Sequence, residues 1–144
     1  MAMALLRQDS DVDDHVVHEA AHDIQSFIWV FSYCIMRNLL ICASKHPQQE
    51  VRDQRQEFRR LFSAAFAQTT FKNIVMARGS NSHALTFPKD KDIRGIIDSF
   101  MSKSLVNLFA GIQELIWAVE KPSGEVQLTH DDLLKLVDKA IESL

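Results

Sequence analysis

The longest apolar stretch of the chain runs from about His18 to Ala43. Its apolar residues recur on every side of a helical wheel. They are Ile24, Phe27, Ile28, Phe31 and Ile35 on one stripe, with Trp29, Val30, Tyr33 and Met36 beside it. A helix that is apolar all round is typical of one that is buried all round. Pro47, in "SKHPQ", cannot continue it, so the pattern predicts a buried central helix that ends just before this proline.

Helical spacing of apolar residues recurs along the rest of the chain. A second helix is predicted over about 48–68, with these apolar residues facing inward: Val51, Phe58, Leu61, Phe62, Ala65 and Phe66. The stretch "TTFKNIVMAR" predicts a third helix that stops at Gly79, and "GSNSHALTFP" (79–88) predicts a loop. Helical spacing resumes after Pro88 and again over 105–119.

The last segment, "THDDLLKLVDKAIESL", predicts an amphipathic helix that opens at Thr129, because threonine is a good N-cap residue. Its predicted buried stripe is Leu133, Leu134, Val137 and Ile141. Residues 1–144 thus form one predicted domain. The predicted fold class is all-α, a compact bundle of about six helices around the buried central helix.

Composition and charge narrow the classes of partner. The chain is 47% hydrophobic and 24% charged, with four Gly and three Pro, which favours a compact helical protein over a disordered one. The net charge of -3 gives no overall attraction to nucleic acid, so we expect no nucleic-acid partner. The basic cluster "VRDQRQEFRR" is interrupted by Asp53 and Glu57 and predicts a solvated helix face.

Nothing in the sequence predicts a membrane protein or an oxidising compartment. The N-terminal "MAMALLRQDSDVDD" lacks the basic and apolar regions of a signal peptide. The apolar run over 27–42 is shorter than the roughly 20 residues of a span and contains Arg37 and Asn38. Cys34 and Cys42 are too far apart along one helix to pair, which predicts buried, reduced thiols. We therefore expect an intracellular protein, cytoplasmic or nuclear.

The motif "HEAAH" raises the alternative of a zinc hydrolase. His18 and His22 stand four residues apart, which places two ligands on one helical face, and Glu19 would act as the base. A third ligand is not marked by any motif, and the charged Asp23 follows the second histidine. The sequence therefore predicts no metal site, and the zinc hydrolase remains a lesser alternative.

Several stretches resemble the fungal-type protein kinase family. "MAMALLRQ", an acidic loop and "HEAAHDIQSFIWVF" are similar to the family's "FMAxEvL", histidine-rich loop and "RHDLESFFYVL". Further along, "FKNIVMARGSNSHAL" and "LTHDDLLKLVDKAIESL" resemble the family's "xxIAxAKxxxL" segment and closing helix. The resemblance covers nearly the whole chain and implies the C-terminal lobe of a protein kinase.

In this resemblance, "HDIQSFIWVF" opens the long central helix that protein kinases call helix F. Asp23 corresponds to the acid that accepts hydrogen bonds from the catalytic-loop backbone. Ser26 and Trp29 keep the small-then-aromatic pattern that follows it, while Gln25 replaces the family's glutamate. The resemblance therefore implies that Asp23, Ser26 and Trp29 form the structural start of helix F.

The family activity implied is ATP-dependent protein phosphorylation with Mg²⁺. No "GxGxxG", "HRD" or "DFG" occurs in this sequence, so we expect no ATP or Mg²⁺ binding and no catalysis by this chain alone, as in a C-lobe fragment or pseudokinase. The side of the central helix that normally meets the absent parts is then predicted to be an exposed apolar face that binds a protein partner. Its predicted members are Ile24, Phe27, Phe31 and Ile35. The alternative is a helical protein-interaction module that binds through this face or through a groove beside Trp117.

Overall fold

The computed structural model describes residues 20–68, 70, 73–74, 83–120 and 129–143. Over these ranges the chain forms six α-helices and a short 3₁₀ turn, and no strand. The helices are α1 (Ala20–Ser44), α2 (Gln49–Phe66), α3 (His83–Thr86), α4 (Arg94–Phe100), α5 (Lys103–Glu120) and α6 (His130–Glu142), with the 3₁₀ turn at Phe87–Lys89. The prediction of an all-α bundle of about six helices is confirmed.

Helix α1 packs against α2, α3, α4 and α6. A short turn joins α1 to α2, and the two helices are antiparallel. In the turn, the guanidinium of Arg52 donates a 2.7 Å hydrogen bond to the carbonyl of Pro47, and the Nε of Arg55 donates to the carbonyl of Leu40 at 3.3 Å. The Arg52 donor satisfies a carbonyl beyond the end of α1, and the Arg55 donor ties the last turns of α1 to α2.

A chain of phenylalanine rings joins the helices inside the core. Phe58 of α2 lies 5.6 Å from Phe87 between ring centroids, Phe87 lies 5.0 Å from Phe109 of α5, and Phe109 lies 5.5 Å from Phe31 of α1. Phe58, Phe87 and Phe109 are fully buried. Four separate segments therefore share one continuous aromatic core.

Helices α5 and α6 form a second antiparallel pair. A Cβ on Gly111 would stand 2.9 Å from the Cδ2 of Leu136, so the glycine allows the two helices to approach closely. At the far end of the pair, the Ser104 hydroxyl donates a 2.9 Å hydrogen bond to the carbonyl of Ser143. This hydrogen bond ties the end of α6 to the start of α5.

The predicted N-cap of α6 is confirmed. The Thr129 hydroxyl accepts a hydrogen bond from the backbone N–H of Asp132, and the Asp132 carboxylate accepts one from the backbone N–H of Thr129, both at 3.3 Å. Hydrogen bonds from the hydroxyl and then the backbone N–H of Thr129 lower the pKa of Asp132 from its ordinary value of 3.8. The two residues form a reciprocal capping box.

This capping box makes the start of α6 sensitive to acid. A folded-state pKa below the unfolded value means that ionised Asp132 stabilises the fold above pH 3.8, and that this contribution is lost as pH falls through the folded pKa. We expect the Asp132 carboxyl to titrate below 3.8 by NMR and Thr129→Ala to return its midpoint toward 3.8. An unchanged midpoint in Thr129→Ala would contradict the assigned cause.

Two details of the predicted elements are wrong. Part of the predicted loop 79–88 is helical, because Ala84, Leu85 and Phe87 turn inward and are buried. In α6, Leu134 and Ile141 are 56% and 60% exposed, because the helix presents another stripe to α5 and α1. That stripe is Leu133, Leu136, Val137 and Ala140.

Of the predicted third helix, residues 73–74 are helical, and most of the remainder lies outside the described residues.

Candidate protein-binding face

Helix α1 is apolar on all sides but is buried on only one. Its buried stripe has side chains that are at most 3% exposed: Ile24, Ile28, Ser32, Met36, Leu39 and Ala43. The opposite side is open to solvent along the helix. The prediction that α1 is buried all round is therefore wrong, because the other described helices cover only one side of it.

The open side, which we call the exposed α1 face, consists of Phe27, Val30, Tyr33, Cys34, Arg37, Asn38 and Ile41. Its apolar members are strongly exposed: Phe27 53%, Val30 61%, Tyr33 38% and Ile41 48%. Residues spaced alternately three and four apart share one face of a helix. The positions 27, 30, 34, 37 and 41 follow this spacing and form one continuous stripe.

The structure corrects the membership of the predicted partner face. Ile24 is 1% exposed and belongs to the core, so its prediction is wrong. Phe31 and Ile35 are half-buried and pack against the core, with Phe31 stacked on Phe109. Phe27 alone of the four predicted members is strongly exposed. At about 100° per residue, the observed face is rotated by roughly a quarter turn from the predicted one.

An aromatic cluster from α1 and α2 borders the exposed α1 face. Tyr33 lies 5.5 Å from Phe62 and 5.4 Å from Phe66 between ring centroids. Trp29 meets Phe66 edge-on at 5.7 Å. These contacts hold one edge of the exposed α1 face rigidly against α2.

The residues assigned to the helix F start lie in the first turns of α1. Asp23 is exposed, on the same side of the helix as Phe27 and Val30. Ser26 and Trp29 are half-buried, and Trp29 takes part in the aromatic cluster. A carboxylate therefore stands at the N-terminal end of the exposed apolar stripe.

The residues of the zinc alternative lie at the edge of the described chain, and that alternative stays a prediction. His18 and Glu19 lie outside the described residues, and His22 lies in the first turn of α1. Within the described part of the chain, no group of three His, Cys, Asp or Glu side chains is placed to hold a metal ion.

The two cysteines are less buried than predicted. Cys34 is exposed, in the middle of the exposed α1 face, so the prediction that it is buried is wrong. Cys42 is half-buried, with its Sγ 4.0 Å from the Oδ1 of Asn38. Both are free thiols in the structure.

The length of α1 also bears on the membrane prediction. The segment Asp23–Ser44 is 22 residues long and is apolar enough to cross a membrane, with 28% of its most apolar stretch buried in the fold. The argument that the apolar run is too short is therefore wrong. Core helices of globular proteins share this length and composition, so the expectation of no membrane span stays a prediction.

A groove lies between α5 and α6. The groove measures about 340 Å³ and is lined by small and mixed polar side chains, including Ser104, Asn107, Gly111 and Lys139. Trp117 is 50% exposed but does not line this groove. The chemistry of its lining does not single out a ligand.

Comparisons with known protein families, with curated proteins and with solved structures found no match to this chain.

Proposed function

We propose that the chain is a helical lobe of the fungal-type protein kinase kind, without catalysis of its own, which receives a protein segment on the exposed α1 face. The observation that carries the proposal is the exposure of four large apolar side chains on one side of α1. Contiguous exposed apolar patches mark sites that bind another protein, a membrane or a ligand, and a polypeptide segment is the occupant we propose for this one.

The position of Asp23 supports the kinase-like assignment. In the resemblance, this carboxylate accepts backbone hydrogen bonds from the catalytic loop, which requires it to face the same side as the surface that loop covers. Asp23 is exposed at the start of the stripe that Phe27 and Val30 continue. The exposed position of Asp23 therefore suits the binding of a segment along the exposed α1 face.

A split-protein experiment tests the proposal. A polypeptide that carries the N-lobe, catalytic loop and DFG region of a fungal-type protein kinase is co-expressed with this chain. We expect a 1:1 complex, because that polypeptide supplies the segment that the exposed α1 face lacks. Phe27→Glu should weaken the complex at least about tenfold, since a charge replaces a large apolar side chain of this face.

Leu134→Glu is the matched control, because Leu134 is as exposed as Phe27 but lies on α6. It should leave the complex intact. Failure of the wild-type chain to associate with the kinase polypeptide would contradict the proposal, as would micromolar binding of Mg²⁺-ATP by the isolated chain in calorimetry.

A helical interaction module whose partner is not a kinase segment is the second candidate. The same exposed α1 face favours it, since an apolar stripe on a helix suits many helical partners. No association with the kinase polypeptide, together with a stoichiometric complex with another protein that Phe27→Glu disrupts, would favour this candidate.

A further inference from the structure

We propose that, where no kinase segment is present, the exposed α1 face binds the same face of a second copy of this chain. The two α1 helices are antiparallel, with Cys34 on the two-fold axis. This inference rests on the proposed function for its choice of surface, and it goes further by naming the occupant.

The order of side chains suits a symmetric pair. With Cys34 on the axis, residue 34+n of one copy lies opposite residue 34−n of the other. Phe27 then meets Ile41 of the second copy, and this contact occurs twice, as a two-fold interface requires. Val30 lies opposite Asn38 and next to Arg37, whose aliphatic stem can cover an apolar neighbour while its guanidinium reaches water.

The charges along α1 suit an antiparallel pair and oppose a parallel one. Asp23 lies at the N-terminal end of the face and Lys45 just beyond its C-terminal end, and both are exposed. The antiparallel arrangement places Asp23 opposite Lys45 of the second copy at both ends of the interface. Exposed ion pairs add little affinity, but like charges set against each other disfavour the wrong orientation.

The area of the face suits a weak, reversible dimer. A helix of 25 residues is about 37 Å long, and an open arc of somewhat more than a third of its surface exposes roughly 600 Å². Two copies would bury about 1,200 Å², the lower limit of specific protein interfaces. We therefore expect a dissociation constant in the micromolar range rather than an obligate dimer.

Sedimentation equilibrium of the full chain between about 1 and 500 μM tests the pairing. We expect a monomer–dimer equilibrium in which Phe27→Glu raises the dissociation constant at least about tenfold. Leu134→Glu should leave it unchanged, which separates this face from exposed apolar residues in general. Circular dichroism confirms that each variant is folded before it is compared.

Disulfide trapping tests the register. In a Cys42→Ser background, mild oxidation should link two copies through Cys34, because the two-fold axis brings the two thiols together. In a Cys34→Ser, Cys42→Ser background, an equal mixture of Phe27→Cys and Ile41→Cys chains should form the mixed disulfide faster than either chain alone forms a disulfide with itself.

A chain that is monomeric at every concentration, or one that Leu134→Glu dissociates as strongly as Phe27→Glu, overturns the inference. Equal trapping rates for mixed and single chains overturn the register.

The two proposals fail in different ways. A monomeric chain that still binds the kinase polypeptide through Phe27 overturns the dimer and leaves the proposed function standing. A dimer that Phe27→Glu disrupts, with no affinity for the kinase polypeptide, overturns the proposed function alone. If both proposals hold, adding the kinase polypeptide should dissociate the dimer, because both occupants need the same face.

Discussion

Ile28→Asp should unfold the protein, whereas Val30→Asp should leave it folded. The two positions are two residues apart in α1 and carry similar branched apolar side chains, but Ile28 is 3% exposed and Val30 is 61% exposed. Loss of buried Ile28 packing costs about 2–5 kcal/mol, and burying an unpaired carboxylate costs several more. The sum approaches the whole stability of a small domain, about 5–15 kcal/mol.

Urea unfolding followed by circular dichroism measures both variants. Val30→Asp replaces one exposed side chain by another, so its free energy of unfolding should change by less than about 1 kcal/mol. Comparable loss of stability in both variants would show that Val30 is buried in solution, and would therefore contradict the exposed α1 face.

Phe58→Ala should have the next largest effect on stability. The Phe58 ring is fully buried and lies at one end of the phenylalanine chain that continues through Phe87 and Phe109. Removing a buried phenylalanine typically costs about 3–5 kcal/mol, since the cavity that remains is only partly closed by its neighbours. The loss extends beyond α2, because Phe87 loses its aromatic neighbour on that side.

Thermal and urea unfolding of Phe58→Ala should both show this loss. Arg59→Ala is the matched control, since Arg59 is the next residue of α2 and is exposed, and its effect should stay within about 0.5 kcal/mol. Phe58→Leu, which leaves a smaller cavity, should fall between the two. A loss below about 1 kcal/mol in Phe58→Ala would show that the phenylalanine chain does not stabilise the bundle.

Most helices could be predicted from the sequence because their apolar residues follow a helical period. Four of the six predicted inward residues of α2 are buried, Phe62 and Phe66 are half-buried, and the N-cap Thr129 of α6 is confirmed, since each depends on local spacing or local hydrogen bonds. The burial of Leu134 and Ile141 could not be predicted in the same way. When apolar residues cover more than half of a helix surface, their spacing does not show which side faces the core. Contacts with distant segments decide it.

The same reasoning explains the error in α1. Its apolar residues cover the whole wheel, so their period does not reveal which side is open. The signal that could have located the open side is polar. Asp23, Arg37 and Asn38 all lie on that side, whereas Ser32, a small hydroxyl residue, is fully buried on the other. The few charged and amide side chains of a long apolar helix indicate its outward side better than its many apolar ones.

The pairing of neighbouring helices has a consequence for folding kinetics. Helices α1 and α2 are joined by a short turn, and α5 and α6 are likewise consecutive in the described fold, so both antiparallel pairs close over short stretches of chain. Contacts between sequence neighbours require little loop-closure entropy, and helical bundles rich in them fold within microseconds to milliseconds. The α1–α2 pair carries the exposed α1 face and its aromatic border. We therefore expect this binding surface to form early in folding, before the aromatic chain through Phe87 and Phe109 joins the two halves of the bundle.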